Sequence, residues 1–173
     1  MDITEVILHQ HAEQRRMFAM LEEWPRDDMD GLEAVWTRLA ILLETHAEAE
    51  ERFFYPELLR LGAGAADADS VEEEVVDAVK DHNKIREALR HVGRCKPGSD
   101  AWWAAVTDCN VENSDHMAEE ERQDLADFRQ HAGRDLRHEI AVSFLRYEAV
   151  TAARGITPTD KDPEQWVRSH QDG

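Results

Sequence analysis

The sequence predicts an all-α fold: an antiparallel, up-down four-helix bundle with an additional C-terminal helix and an irregular tail. Three observations carry this. Leu32, Leu39, His46 and Phe53 recur every seven residues, as do Trp36, Leu43, Glu50 and Glu57, so the two series trace one a/d seam. Asp2 with Glu5, Asp30 with Glu33 and Ser70 with Glu73 have the spacing of an N-terminal capping box ahead of apolar-periodic segments. Breaks at Trp24-Pro25, over residues 62–68 and at Lys96-Pro97-Gly98 separate those segments.

The elements follow in chain order. A first helix over 3–24 presents Leu8, His11, Phe18 and Leu21 on its seam, and the second spans 31–61. A third, over 71–93, carries the stripe Val75, Val79, His82, Ile85 and Leu89. The fourth, over 100–130, runs through Val106, Cys109 and Asn113 to His116 and Glu120. Their short connections favour antiparallel neighbours. A fifth, amphipathic helix over 135–153 has Leu136, Ile140, Phe144 and Tyr147 on one face and is expected to pack outside the four. From Gly155 onward Pro158, Pro163 and weak periodicity read as irregular chain, pinned by Trp166. The organisation expected is a bundle over residues 1–131, an accessory helix over 132–154 and a tail over 155–173, in a chain of 173 residues that suits one domain.

A formal net charge of -18 argues against nucleic acid and anionic membrane as partners, since both require a basic surface. No run approaches the roughly 20 apolar residues of a membrane span, and MDITEVILHQH lacks a basic leader. Cys95 and Cys109 stand apart without CxxC spacing, which fits a reducing compartment, so a cytoplasmic protein is expected.

The four helices look like two copies of one pair. His11 and Arg15 recur 71 residues on as His82 and Arg86, and His46 and Glu50 recur 70 residues on as His116 and Glu120. All four histidines lie roughly 17 to 24 Å from their inter-helix turns, and so at a similar level of an antiparallel bundle. His9, about 200° around the helix from His11, points away from the core. Glu51 and Glu121 read as solvated flanks or salt-bridge partners, with orientation of a ligand histidine as the alternative. Tyr55 reads as a core aromatic, and Met17, Met20 and Met117 as packing.

Four imidazoles and two carboxylates therefore converge in one mid-bundle layer. A hydrogen-bonded polar layer is one reading, but burying carboxylates costs several kcal/mol each unless they are paired. Arg15 and Arg86 are the only cations near the seam, and Arg86, following Ile85, reads as a flank of the core. A metal resolves the cost, because neutral histidine nitrogen and ionised carboxylate oxygen are ligands whose charge a cation offsets. Six donors exceed one tetrahedral zinc site. They suit two metals bridged by Glu50 and Glu120, one held by His11 and His46, the other by His82 and His116, as in di-iron or di-manganese bundles.

These residues resemble the hemerythrin-like, or HHE cation-binding, family. The pattern is H-xxx-R at His11 and Arg15, then H-xxx-EE from His46 to Glu51 followed by Tyr55-Pro56, then DH-xxx-R from Asp81 to Arg86, then H-xxx-EE from His116 to Glu121, across roughly residues 5 to 130. The resemblance implies a bundle enclosing two iron ions, bridged by Glu50 and Glu120 with an oxo or hydroxo bridge, that react with dioxygen, peroxide or nitric oxide. The family's classical oxygen carriers have H-xxx-H in the third helix and a fourth-helix His with an Asp five residues on. Here Arg86 replaces the second His and the fourth motif is H-xxx-E. The missing ligand implies an additional open position on the second iron, favouring reaction over reversible carriage.

The function expected is thus a non-haem di-iron protein that reacts with a small diatomic ligand or peroxide, with catalase-like peroxide consumption as one form. A sensor of oxygen, nitric oxide or iron, or a metal-buffering bundle without turnover, is the alternative. Manganese shares iron's hard-ligand preferences. A redox partner or homodimer is compatible with either reading.

Overall fold

Helix α1 (Ile3–Glu23) starts where Asp2 leaves helical geometry and its carboxylate accepts the Thr4 amide at 3.0 Å. The computed structural model describes residues 1–65, 70–157 and 159–171. Of the break predicted over 62–68, residues 66–68 lie outside that set, as do Pro158 and residues 172 and 173 of the predicted tail.

Helix α2 (Met29–Ala49) is capped by Asp28, not by the expected Asp30. Asp28 accepts the Gly31 amide at 3.0 Å and the Trp24 indole N–H at 3.0 Å, so its carboxylate is fixed over the first turn from both sides. A Cβ at Gly31 would stand 2.2 Å from Asp28 Oδ2, which is why glycine follows. Asp30 falls inside the first turn, where its charge favours the helix dipole. Ser70 caps α4 (Val71–Arg94) through the Glu73 amide, as expected, and Ser99 caps α5 (Asp100–Arg122) through the Trp102 amide.

Two predicted helices are interrupted. The second is α2, a π-helical turn over Glu50–Phe54, and α3 (Tyr55–Leu61). The fourth is α5 and α6 (Asp124–His131), separated at Gln123, whose ψ of -79 departs from α geometry. The π turn inserts one residue, so the seam continues on Phe54 and Leu58, both fully buried, rather than on the expected Phe53 and Glu57, which are half-exposed.

Neighbours α1 and α2, and α4 and α5, pack as antiparallel pairs and form the bundle. Its apolar interior is split in two. One cluster gathers Ile3, Ile7, Phe54, Leu58, Val75, Val79, Leu125 and Phe128. The other gathers Met17, Leu21, Leu32, Trp36, Leu39, Ile85, Leu89, Trp102 and Cys109. Helix α7 (Arg134–Arg154) lies against α1, α2 and the π turn through Ile140 and Phe144. Among the described residues the tail is irregular except for α8 (Pro163–His170), which packs on α3 and α4 with Trp166 and Val167 buried. Cys95 and Cys109 are free thiols, and among the described residues no helix is long and apolar enough to cross a membrane.

The register shift is testable. Phe54→Ala should cost about 3 to 5 kcal/mol in denaturant unfolding and Phe53→Ala only about 1 kcal/mol; equal costs would restore the uninterrupted register. A second outcome follows from Glu74, buried against the Ala65 amide it accepts at 2.6 Å. Burial pushes its carboxyl up to about 7. A raised acid favours the protonated fold, so its contribution is full below the unfolded value of 4.5 and is lost as pH rises through about 7. Glu74→Gln should therefore raise the melting temperature at pH 8, by up to about 3 kcal/mol of stability, and leave it unchanged near pH 4.5.

Candidate metal centre

Between the two apolar clusters lies the polar layer. Helix α1 supplies His11, α2 His46, the π turn Glu50, α4 His82, and α5 His116 and Glu120, each less than 5 % exposed. The six predicted residues form two groups with mutually close ligand atoms: His11, His46, Glu50 and Glu120, and Glu50, His82 and His116. Glu50 belongs to both. Its Oε1 stands 2.9 Å from His46 Nε2 and its Oε2 3.3 Å from His82 Nε2. Glu120 belongs only to the first group, with Oε2 3.1 Å from His11 Nε2, while its Oε1 accepts the Tyr55 hydroxyl at 3.1 Å. His82 Nε2 and His116 Nε2 are 3.2 Å apart. His9 is exposed.

Three of the imidazoles are held from behind. His11 Nδ1 donates to Glu121 at 2.9 Å, His46 Nδ1 to Gln10 Oε1 at 2.6 Å, and His82 Nδ1 to Glu51 at 2.9 Å. Gln10 is oriented in turn by Glu148 of α7, which accepts its amide at 2.6 Å. Each partner is an acceptor, so the proton sits on Nδ1 and the Nε2 lone pair points inward. The inward atoms then have nothing to donate. His11 Nε2, His46 Nε2, both oxygens of Glu50 and Oε2 of Glu120 are buried without a hydrogen-bond partner. Lone pairs facing lone pairs at 2.9 to 3.1 Å are repulsive unless a proton or a metal cation is shared between them, and this donor set fits one or two metal ions.

The electrostatics point the same way. Glu50 is held well above the ordinary carboxylate range by burial and by Glu120 beside it. Burial also drives His46 well below its usual value, and His116 down to about 3 with His82 adding to the effect, so both are neutral ligands at physiological pH. His11 is the exception: burial pulls it downward, but the carboxylates of Glu120 and Glu121 beside it prevail and raise it.

The outer carboxylates differ from the inner ones. Glu51, expected to be a solvated flank or an orienting partner, is buried, and Arg86 donates to it at 2.9 Å. Arg86 is itself 1 % exposed and so lies inside the core rather than on its flank; its companions Glu44, Glu48 and Glu51 supply the charge that makes this tolerable. Glu121 remains partly exposed and also pairs with Arg15 at 2.8 Å. Among the described residues no lysine or arginine ion-pairs with Glu50 or Glu120. Tyr55 is a core aromatic whose hydroxyl nevertheless reaches the centre. Sequence reasoning passed over Gln10, Glu148, Asp124 and Lys161, none of which stands in a motif.

A cleft of about 10 Å³, room for one water-sized molecule, is lined by Glu74, Ala78, His116, Glu120 and Asp124 between α4, α5 and α6. Phe144 presents its ring edge to His46 at 6.0 Å and closes the α7 side.

His46→Ala and Glu120→Ala should each lower bound metal by at least one ion per chain in elemental analysis, whereas His9→Ala should retain the full content. Equal loss in all three would contradict this inward-facing set.

A family model, the Hemerythrin HHE cation binding domain, matches residues 2–127. No curated protein and no solved structure matches the chain.

Proposed function

The chain belongs to the hemerythrin HHE cation-binding family, and we propose that its bundle holds two iron ions and reacts with dioxygen, hydrogen peroxide or nitric oxide, with catalase-like peroxide consumption as one form. The observation that carries this reading is the pair of buried carboxylates, Glu50 and Glu120, facing imidazole nitrogens with no lysine or arginine among the described residues paired to them. His11 and His46 would hold one ion together with Glu120, and His82 and His116 the other. Glu50 would serve both ions, since its oxygens divide between the groups, and Glu120 would be the second carboxylate of the pair. Residues 1–131 act as the metal-binding unit, with the accessory helix over 132–154 contributing Phe144 and Glu148 around His46.

Iron in such a site supplies redox change and Lewis acidity. The chain's own groups do the rest. Four donors surround one position and three the other, so the His82 and His116 side is where an exogenous ligand has room to bind. The narrow cleft beside His116 admits only small molecules, which favours diatomic gases and peroxide over larger substrates. Tyr55 Oη, 3.5 Å from His82 Nε2, is placed to hold a proton next to that ligand. Phe144, edge-on to His46, limits water on the α7 side. A reducing cytoplasm suits the two free thiols.

Iron-replete expression should yield about two irons per chain with a near-ultraviolet charge-transfer band. One zinc per chain, or no metal, would sink the di-iron reading. Mixed with hydrogen peroxide, the diferric protein should release oxygen over many turnovers in an oxygen-electrode assay; a single bleaching event without turnover would instead make it a sensor or binder.

A further inference from the structure

Beyond α7, residues 159–162 form a strap that ties α4 to α2. Asp160 receives both Arg90 guanidinium nitrogens at 3.0 Å. At the next residue the Asn83 side-chain amide donates to the Lys161 carbonyl at 2.7 Å, and the Lys161 amide donates to Asn83 Oδ1 at 3.1 Å. This two-point pairing delivers the Lys161 ammonium to Glu48 and Glu51. Glu51 is the carboxylate that accepts His82 Nδ1. After Lys161 the chain turns into α8, where Trp166 lays its ring edge-on to Tyr55 at 6.4 Å, the tyrosine bonded to Glu120.

The charge arrangement explains what the lysine does. Glu44, Glu48 and Glu51 all face Arg86, at 3.7, 3.9 and 2.9 Å, and one guanidinium cannot serve three carboxylates equally. Lys161 takes Glu48 and the second oxygen of Glu51, leaving the first oxygen to Arg86 and His82. Without it, Glu51 is free to turn towards Arg86 alone, and the imidazole behind which it stands loses its fixed orientation. The strap lies beyond the family-matched residues 2–127.

We propose that this C-terminal strap is part of the metal centre, with Lys161 a positioning residue that fixes Glu51 and thereby His82, so that strap docking and metal occupancy stabilise each other. The inference rests on the two-metal reading above. Carboxylates behind ligand histidines typically alter metal affinity 10- to 100-fold when lost, and Lys161 acts one contact further out, at the lower end of that range. Coupling between two sites is reciprocal, so metal binding must also protect the strap.

The test uses full-length, iron-loaded protein. Lys161→Met should lose one of its two irons to a chelator about tenfold faster than wild type, and Lys161→Arg should restore the wild-type rate. Arg90→Gln, which loosens the strap through Asp160 without touching the centre, should shift the same iron in the same direction. In hydrogen exchange, iron should slow the amides of residues 159–170 in wild type but not in Lys161→Met. Wild-type chelation rates in Lys161→Met, or a strap whose exchange ignores iron, overturn this inference alone. A wild-type protein that takes up no metal pair overturns the two-metal reading and this one with it.

Discussion

Two carboxylates sit at the middle of the bundle with imidazole lone pairs facing them, and the rest of the molecule is arranged around that charge. Placing Glu50 and Glu120 there costs several kcal/mol each in the absence of a partner. The apolar core cannot pass through such a layer, so it divides into one cluster on either side. The protein's cations are engaged one step further out, Arg86 and Lys161 on Glu51 and Arg15 on Glu121. An arginine turned inward would satisfy Glu50 and remove its need for a metal. By binding the outer ring instead, the cations fix the carboxylates that orient His82 and His11 and leave the inner pair to an exogenous ion.

Backbone irregularity lets both halves of the repeat present a carboxylate and then resume packing. The π turn begins at Glu50, and α5 breaks three residues past Glu120. The two devices are not equivalent. Within the π turn consecutive residues Glu50 and Glu51 are both buried, whereas α5 keeps α geometry through Arg122 and leaves Glu121 partly exposed. One motif, H-xxx-EE, thus yields two environments: the partner of His82 is sealed from water, and the partner of His11 remains wet. Sequence similarity between the halves carries no trace of this difference, because it arises from where one extra residue enters a helical turn.

That is also where legibility ends. Heptad spacing places Leu32, Leu39, His46, Leu43 and Glu50 correctly, since each depends only on local α geometry. Past Glu50 the same arithmetic selects Phe53 and Glu57, while the core takes Phe54 and Leu58. The capping rule finds Asp2 and Ser70 but prefers Asp30 to Asp28, whose advantage comes from Trp24, a residue in the preceding turn. The convergence of the six donors was legible because it rests on periodicity and repetition. The burial of Arg86 was not, since it depends on three carboxylates from another helix, and Lys161 was not, since nothing local marks an irregular tail as returning to the centre.

The asymmetry of the donors gives these details a common direction. On the side with four donors, neutral Gln10 stands behind His46, and Glu121 behind His11 is partly exposed. The side with three donors, where Arg86 stands one turn from His82 instead of a histidine, gathers the most rigid surroundings: Glu51 buried, Arg86 and Lys161 clamped to it, and Tyr55 pressed between His82 and Trp166. A metal with fewer protein ligands is held in place more by the orientation of each ligand than by their number. Rigid support on that side would, in the proposed centre, keep an open position open, because a loosely held carboxylate such as Glu50 could turn a second oxygen into it. In the proposed centre, the replacement of a ligand by Arg86 therefore does two things at once: it vacates a coordination position, and it supplies the cation that helps lock the remaining ligands around it.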